Sequence, residues 1–331
     1  MPLTASRKRA LAWMLGLAAA LYLLFAFLTG PRQLLATAAG LGWHGWGLLL
    51  LGSSLNYLLR FGRWTLYLRR LGHRVPPVAS LAYYLSGFAL TASPGKAGET
   101  IRSVYLRTHG VPWPQSLAMF FTERLLDVVV VCGLAALSIL RFERFGPFVL
   151  GALAVLVLAL PLLRSPWVVA MVEGLAVRLR RERLRRGVLH LASLLDTARD
   201  LLAWRPLYAG LALGALAWLV QGLAFIYLLS AVGVEVAPAT ALAIYAVSLL
   251  AGALSFVPGG IGTTEAVMGL LLLQLGADPA QAVAAPIINR LTTLWYAVAL
   301  GLLASLGLGL RGSGAGEQQV PQRQGHQPED G

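Results

Sequence analysis

Acidic residues are scarce in this chain. Only 14 of its 331 residues are Asp or Glu, and charged residues of both signs make up 12%. That is about half the share usual in a soluble domain. Cysteine is scarcer still. Cys132 stands alone, which excludes a disulfide framework and a thiolate metal cluster; inside its apolar run it reads as a small buried hydrophobe. His44, His73, His109, His190 and His326 are scattered, and no pair has metal-ligand spacing, so no metal site is expected. Nucleotide and hydrolase motifs are missing as well. Ala97 follows Gly95-Lys96, so no G-x-x-x-x-G-K-[ST] loop forms, and neither G-x-S-x-G nor H-E-x-x-H occurs. The sequence gives no ground to expect an enzyme or a cofactor.

What is abundant is apolar: 57% of residues are hydrophobic and the mean hydropathy is +0.70. Such a chain calls for a bilayer as solvent. The net charge is +13. A basic balance of this size often indicates nucleic acid, but in a membrane protein it indicates arginine-rich cytoplasmic loops. Its distribution decides between the two.

Apolar segments run over Ala10–Leu28, Trp43–Leu59, Ser80–Ala92, Ser116–Leu140, Pro147–Leu163, Leu207–Val232, Ala239–Val257, Thr264–Leu275 and Ala280–Leu310. The first follows Arg7-Lys8-Arg9 like a signal sequence. It is long enough to span and no small-x-small cleavage pattern follows, so an uncleaved first span is expected. Two segments stop at Pro-Gly, at Pro94-Gly95 and at Pro258-Gly259. Proline and glycine break helices, and broken backbone at membrane depth needs protein or a wet cavity around it. Each break reads either as the tip of a re-entrant hairpin or as a kink in a complete helix; segment length favours the hairpin at the first.

The halves resemble each other. Pro94-Gly95, Gly98 and Glu99 match Pro258-Gly259, Gly260, Gly262 and Glu265; Arg124-Leu125 matches Arg290-Leu291; and an offset of about 165 also superposes the flanking spans. The pattern points to an internal duplication, with repeat one over about 43–140 and repeat two over about 207–310. Sorting Lys and Arg by segment with the N-terminus inside puts 21 on inner segments and three on outer ones. The positive-inside rule then gives N-in and C-in. The expected fold is an all-α polytopic membrane protein, a single domain over 1–310. It has about six full transmembrane helices plus two re-entrant helical hairpins in an inverted repeat. The expected location is the inner (cytoplasmic) membrane, and no nucleic-acid partner is expected. Inverted repeats with broken helices at the midplane are a transporter signature.

Residues 164–206 form a basic linker. Leu184, Val188, Leu191, Leu195, Ala198 and Leu202 recur at spacings of four and three, which marks an amphipathic helix. It serves either as an interfacial helix on anionic headgroups or as positive-inside charge packed on the bundle. The Gly/Gln/Pro-rich tail, 311–331, is expected to be disordered.

Ionisable groups within the membrane are costly and mark function: Lys96, Glu99, Glu123, Arg124, Asp127, Glu265 and Arg290. Half-helices starting near Glu99 and near Thr264 would aim free N–H groups at a ligand, and Gly98, Gly259, Gly260 and Gly262 would let backbone approach it. With Lys96, Arg124 and Arg290 this describes a phosphate or carboxylate site. The carboxylates would balance the arginines or contact a cationic headgroup; alternatively, each arginine simply pairs with a carboxylate to hold a hairpin. Glu123 and Asp127 share a helical face, and with Arg124 between them an ion-pair network is expected rather than a catalytic pair.

The runs Pro94-Gly95-Lys96-Ala97-Gly98-Glu99, Glu123-Arg124-Leu125-Leu126-Asp127 and Pro258-Gly259-Gly260-Ile261-Gly262-Thr263-Thr264-Glu265 resemble the lysylphosphatidylglycerol synthase transmembrane-region family. This is the flippase-like domain of the multiple peptide resistance factor. Asn56, Arg60, Arg63 and Trp64 resemble its early motif, and the likeness covers roughly 10–310. It implies a lipid flippase or transporter for a phospholipid or another anionic, even aminoacylated, lipid. It implies a stand-alone member without the soluble synthase domain. The alternative is a non-transporting partner of a cell-envelope lipid-modifying or glycosyl transferase. Expected partners are membrane lipids with anionic headgroups and either a separate lipid-modifying enzyme or a second copy of the chain. The resemblance and the embedded residues together give a candidate substrate site of Asn56, Arg60, Pro94, Gly95, Lys96, Gly98, Glu99, Arg102, Glu123, Arg124, Asp127, Pro258, Gly259, Gly260, Gly262, Thr263, Thr264, Glu265, Asn289 and Arg290.

Overall fold

The computed structural model describes residues 31–137 and 146–316. The expected first span and residues 317–331 of the expected tail lie outside the described residues, as do the side-chain positions from Pro94 to Ala97, Lys96 included. Among the described residues all regular structure is helical. Helix α1 (Pro31–Gly40) bends by 88° into the long α2 (Gly42–Arg70). Helix α3 (Pro77–Ser86) continues as a 3-10 turn over Gly87–Leu90. After the first Pro-Gly break come a 3-10 run over Pro94–Ile101, the short α4 (Arg102–Leu106) and α5 (Trp113–Ala135). Then follow α6 (Gly146–Arg164), α7 (Pro166–Arg178), α8 (Glu182–Leu201) and α9 (Trp204–Ala231). Helices α10 (Pro238–Leu254) and α11 (Thr263–Gln274) flank the second break. Helix α12 (Pro279–Arg290) passes through a π turn at Leu291–Trp295 into α13 (Tyr296–Gly316).

Prolines at the first helical positions of α3, α7, α10 and α12 set these starts, where the missing N–H costs nothing and φ is already helical. Two helical stretches, Trp204–Ala231 and Pro279–Leu310, are long and apolar enough to cross a bilayer. Two bent pairs, α1 with α2 and α6 with α7, raise the number to four if each is one span. The last helix enters the segment expected to be disordered and continues to Gly316.

Both Pro-Gly breaks turn the chain back on itself. The Gly87–Leu90 turn packs on the Pro94–Ile101 run, and α10 packs on α11. The two tips touch each other. The expected half-helix near Glu99 takes another form: a 3-10 run starts at Pro94, and only five α-helical residues follow it. Ser93 Oγ accepts the Gly98 N–H at 2.7 Å, and Gly98 lies so close to Leu90 that a Cβ would clash with it. That tight packing favours the narrower i→i+3 turn.

Helices α2 and α9 pack against each other at the centre. Asn56 Nδ2 donates to the Ala217 carbonyl between them at 2.8 Å. One apolar cluster gathers Phe225, Ile244, Met268 and Leu272; another gathers Trp64, Tyr67, Tyr84 and Met119. The exterior carries large apolar residues, and charged residues are buried in the interior. Leu48, Leu51, Leu55 and Leu58 of α2, Leu216, Leu219 and Leu223 of α9, and Leu302, Leu303 and Leu306 of α13 are exposed, whereas Arg63 is 0% and Glu123 1% exposed. Leucine stripes at spacings of three and four would leave large apolar patches facing water in a soluble protein. Facing acyl chains they are at no disadvantage.

The basic segment holds two helices, of which the sequence pattern showed one. Ser165 caps α7 by accepting the Trp167 N–H. Helix α8 buries only the C-terminal part of the face expected from Leu184, Val188, Leu191, Leu195, Ala198 and Leu202. Its C-terminal Ala198 and Leu201 are buried and Leu184 and Leu191 stay exposed. Glu182 pairs with Arg185 and Arg186 at 2.9 Å, and the hydrogen bond from Arg186 is the main influence holding its carboxyl below the ordinary range.

Candidate functional site

Where the two breaks meet α2, α5 and α9, the chain encloses a cavity of about 320 Å³, at the small end of ligand sites. Nine of the sequence-derived candidates line it: Asn56, Arg60, Glu99, Arg124, Asp127, Gly259, Gly260, Thr264 and Arg290. Its mouth is apolar. Val128, Ala253 and Val257 line the cavity and are exposed.

Three buried arginines and the half-buried Arg124 meet three carboxylates. On α2 the spacing of four and then three from Asn56 through Arg60 to Arg63 puts these side chains on one face. Arg60 and Arg63 converge on Asp127 of α5 at 2.8 and 2.7 Å, one on each carboxylate oxygen. Arg124 lies 3.5 Å from Asp127 and 3.5 Å from Glu99. Glu99 also accepts a hydrogen bond from Thr91 Oγ1 at 2.8 Å. Behind the wall, Arg102 reaches Glu123 at 2.9 Å, with its guanidinium 4.5 Å from the centre of the Trp64 ring and 5.2 Å from that of Tyr84, a cation–π cage. Glu123 and Asp127 therefore belong to an ion-pair network, as their spacing with Arg124 implied.

On the other side, Arg290 Nε donates to Glu265 at 3.0 Å and Arg290 Nη2 to the Gly259 carbonyl. Glu265 accepts the Gly262 N–H at 2.8 Å. The expected free N–H groups at the start of α11 are thus partly filled by the chain itself: Glu265 caps its own helix. Gly259 adopts φ 64° at the break and lies against Ala92 of the first hairpin. In each half a glutamate precedes an arginine by 25 residues, and in each the two side chains pair, Glu99 with Arg124 and Glu265 with Arg290. Across the two networks five arginines face four carboxylates, an excess of one positive charge.

Other candidates sit apart from the cavity wall. Arg102, Glu123 and Glu265 are buried behind it as partners of ion pairs. Asn289 is buried, and its backbone carbonyl accepts from Thr292 and Thr293. Gly98 packs inside the first hairpin. Pro258, Gly262 and Thr263 shape the second break without lining the cavity. Arg60, Arg63 and Arg102, which the charge count assigned to inner loops, are 5%, 0% and 1% exposed. These three guanidiniums are therefore held inside the protein by ion pairs and do not count toward the loop charge. Sequence reasoning missed Tyr57, Thr91, Trp218, Gln221, Tyr245 and Thr293 on the wall. Gln221, a lone amide within apolar α9, was the available signal.

Residues 13–301 match the family described as Lysylphosphatidylglycerol synthase TM region. The chain belongs to that family. Two relatives from Methanothermobacter thermautotrophicus, each named UPF0104 membrane protein, are similar to it. One is 22% identical over 267 residues, covering 73% of this chain and 79% of the relative. The other is 31% identical over 93 residues, 28% of each. The Lysylphosphatidylglycerol synthase TM region match takes in every candidate residue of the cavity, and with the membrane-length helices it makes the chain a membrane protein.

Proposed function

We propose that this protein moves an anionic lipid between the leaflets of the cytoplasmic membrane. The observation that carries the proposal is the cavity itself: a charged, arginine-rich interior beside an apolar mouth at Val128, Ala253 and Val257. An amphiphile can leave its chains in the bilayer there while its headgroup enters. Arg124 and Arg290 are wall cations that would neutralise phosphate. The matching element order supports an inverted repeat of six full spans and two re-entrant hairpins, N-in and C-in. In each half a long helix, α2 or α9, precedes a proline-led helix, a Pro-Gly break, a short arm and a second proline-led helix or its equivalent. In this reading the protein is not an enzyme, and its partners are membrane lipids.

The test is transbilayer movement of fluorescent phospholipid in proteoliposomes. Wild type should accelerate it, and Arg124→Ala combined with Arg290→Ala should return it to the protein-free rate. Equal rates for wild type and the double variant would sink the proposal. A role confined to partnering a transferase predicts instead that deleting residues 178–203 breaks a complex while lipid movement stays intact.

A further inference from the structure

Helices α7 and α8 carry a surface that shares no residue with the cavity wall. Helix α6 is apolar from Gly146 to Leu163, and its Val155, Leu158 and Leu162 are exposed. At Ser165-Pro166 the chain bends by 66°, so α7 leaves the direction of α6. The exposed apolar stripe does not stop there. Trp167, Met171 and Leu175 recur at spacings of four on α7 and are all exposed. At 13 residues α7 is too short to cross a bilayer, which takes about 20. Aromatic residues mark the depth of the bend. The Arg164 guanidinium lies 4.1 Å from the centre of the Trp204 ring, and Trp204 stacks on Tyr208. Both rings are exposed, and exposed Trp and Tyr gather at the headgroup level of a membrane.

Past α7 the chain turns basic. Arg178, Arg180, Arg181, Arg183, Arg185 and Arg186 fall within nine residues, with Glu182 as the one acid among them, and all six are exposed. Glu182 is taken by Arg185 and Arg186. Arg178, Arg180, Arg181 and Arg183 form no ion pair among the described residues. On α8 the apolar face divides at the same place. Ala198 and Leu202 are covered by the bundle, whereas Leu184 and Leu191 on that face are exposed, and the uncovered half adjoins the arginines. An acidic protein or an RNA would match the arginines but leave Trp167, Met171 and Leu175 in water. A bilayer surface is anionic outside and apolar just beneath, and it meets both.

We infer that the α7–α8 segment lies in the headgroup layer and gathers anionic phospholipids there, with Trp167, Met171 and Leu175 at the acyl boundary and the six arginines on lipid phosphates. This second lipid contact lies outside the cavity, and it stands or falls apart from the transport reading.

The test places the full-length protein in lipid nanodiscs with a bimane label on Met171→Cys or on Leu184→Cys. Cys132 is buried and stays in place; unsubstituted protein treated with the label sets the background. The probe is a phospholipid carrying a nitroxide near the top of one acyl chain, which quenches a label at that depth. The label on Met171→Cys should be quenched in phosphatidylcholine discs and in discs containing about a quarter phosphatidylglycerol. The label on Leu184→Cys should be quenched at least about threefold more in the anionic discs, because basic residues at a surface respond to its charge. Raising the salt to about 1 M should remove that difference. Arg180→Gln, Arg181→Gln and Arg183→Gln together should remove it too, and the same three changed to Lys should keep it. These side chains are exposed and break no ion pair, so the variants should fold, and an unchanged unfolding transition checks this. No quenching at Met171→Cys, equal quenching of Leu184→Cys in both discs, or indifference to the three arginines overturns the inference. An RNA oligonucleotide that releases the Leu184→Cys label from anionic discs at matched phosphate concentration would assign the arginines to nucleic acid and overturn it as well.

Discussion

Asp127 is the residue on which the buried network should stand or fall. Its two oxygens take Arg60 at 2.8 Å and Arg63 at 2.7 Å, and Arg124 approaches to 3.5 Å. Asp127→Asn keeps the shape and one acceptor oxygen but removes the charge. The excess of one positive charge becomes two, and two guanidinium groups that are 5% and 0% exposed lose their counterion. Breaking a buried pair in this way costs about 3–5 kcal/mol, because the remaining charge is left unpaired. The assay is equilibrium unfolding of purified protein in mixed mild-detergent and dodecyl sulfate micelles, followed by tryptophan fluorescence. A compensating variant sharpens it. Arg63 is buried and does not line the cavity, so Arg63→Met combined with Asp127→Asn restores the original charge balance. The double variant should be more stable than the sum of the single effects by about 0.5–3 kcal/mol, the coupling typical of groups in direct contact. Glu182→Gln, at an exposed pair on α8, is the control and should leave the transition in place. If Asp127→Asn unfolded within about 0.5 kcal/mol of wild type and the cycle were additive, the network would not hold α2 to α5 and the reasoning would be refuted.

Two further predictions concern packing around the breaks. Gly301 of α13 lies so close to the Phe88–Ala89 backbone that a methyl group would run into it. Gly301→Ala should therefore cost at least about 1–3 kcal/mol by overpacking in the same unfolding assay; a neutral result would show that the first hairpin can slide along α13. Tyr57 donates to the Thr293 carbonyl at 2.6 Å, tying α2 to the π turn, and Tyr57→Phe should cost about 0.5–1.5 kcal/mol. A loss much larger than that would mean that the hydroxyl carries more than this one bond.

The helices were legible in the sequence because their signals are strong. Apolar runs bounded by prolines placed α9, α10, α11 and the long final helix to within a few residues of their observed starts. The two breaks were legible because Pro-Gly in the middle of apolar sequence has few other readings. What escaped was what depends on contacts between distant segments. Arg63 looks like a loop arginine until α5 supplies Asp127, 64 residues away. The 3-10 form of the first arm depends on Leu90 and Ser93 pressing on Gly98, which no helical periodicity reports. Helix α7 is a short, mostly apolar run, Trp167–Ala176, directly followed by dense arginine, so its own periodicity is weak against the basic stretch around it. The wall residues Trp218 and Tyr245 look like ordinary core aromatics, and only the cavity separates them from the rest.

The paired Glu-to-Arg spacing shows how two similar halves can hold one asymmetric site. Both halves place an arginine 25 residues after a glutamate and join the two. In the second half the rest of the pair's capacity is used locally: Glu265 takes the Gly262 N–H and Arg290 takes the Gly259 carbonyl, so the pair braces the break. In the first half Asp127 and Arg102 crowd the corresponding pair, the contacts lengthen to 3.5 Å, and the Arg124 side chain keeps 19% exposure. With Arg290 bracing its break and Arg124 more loosely held, the two halves contribute unequally to the cavity wall.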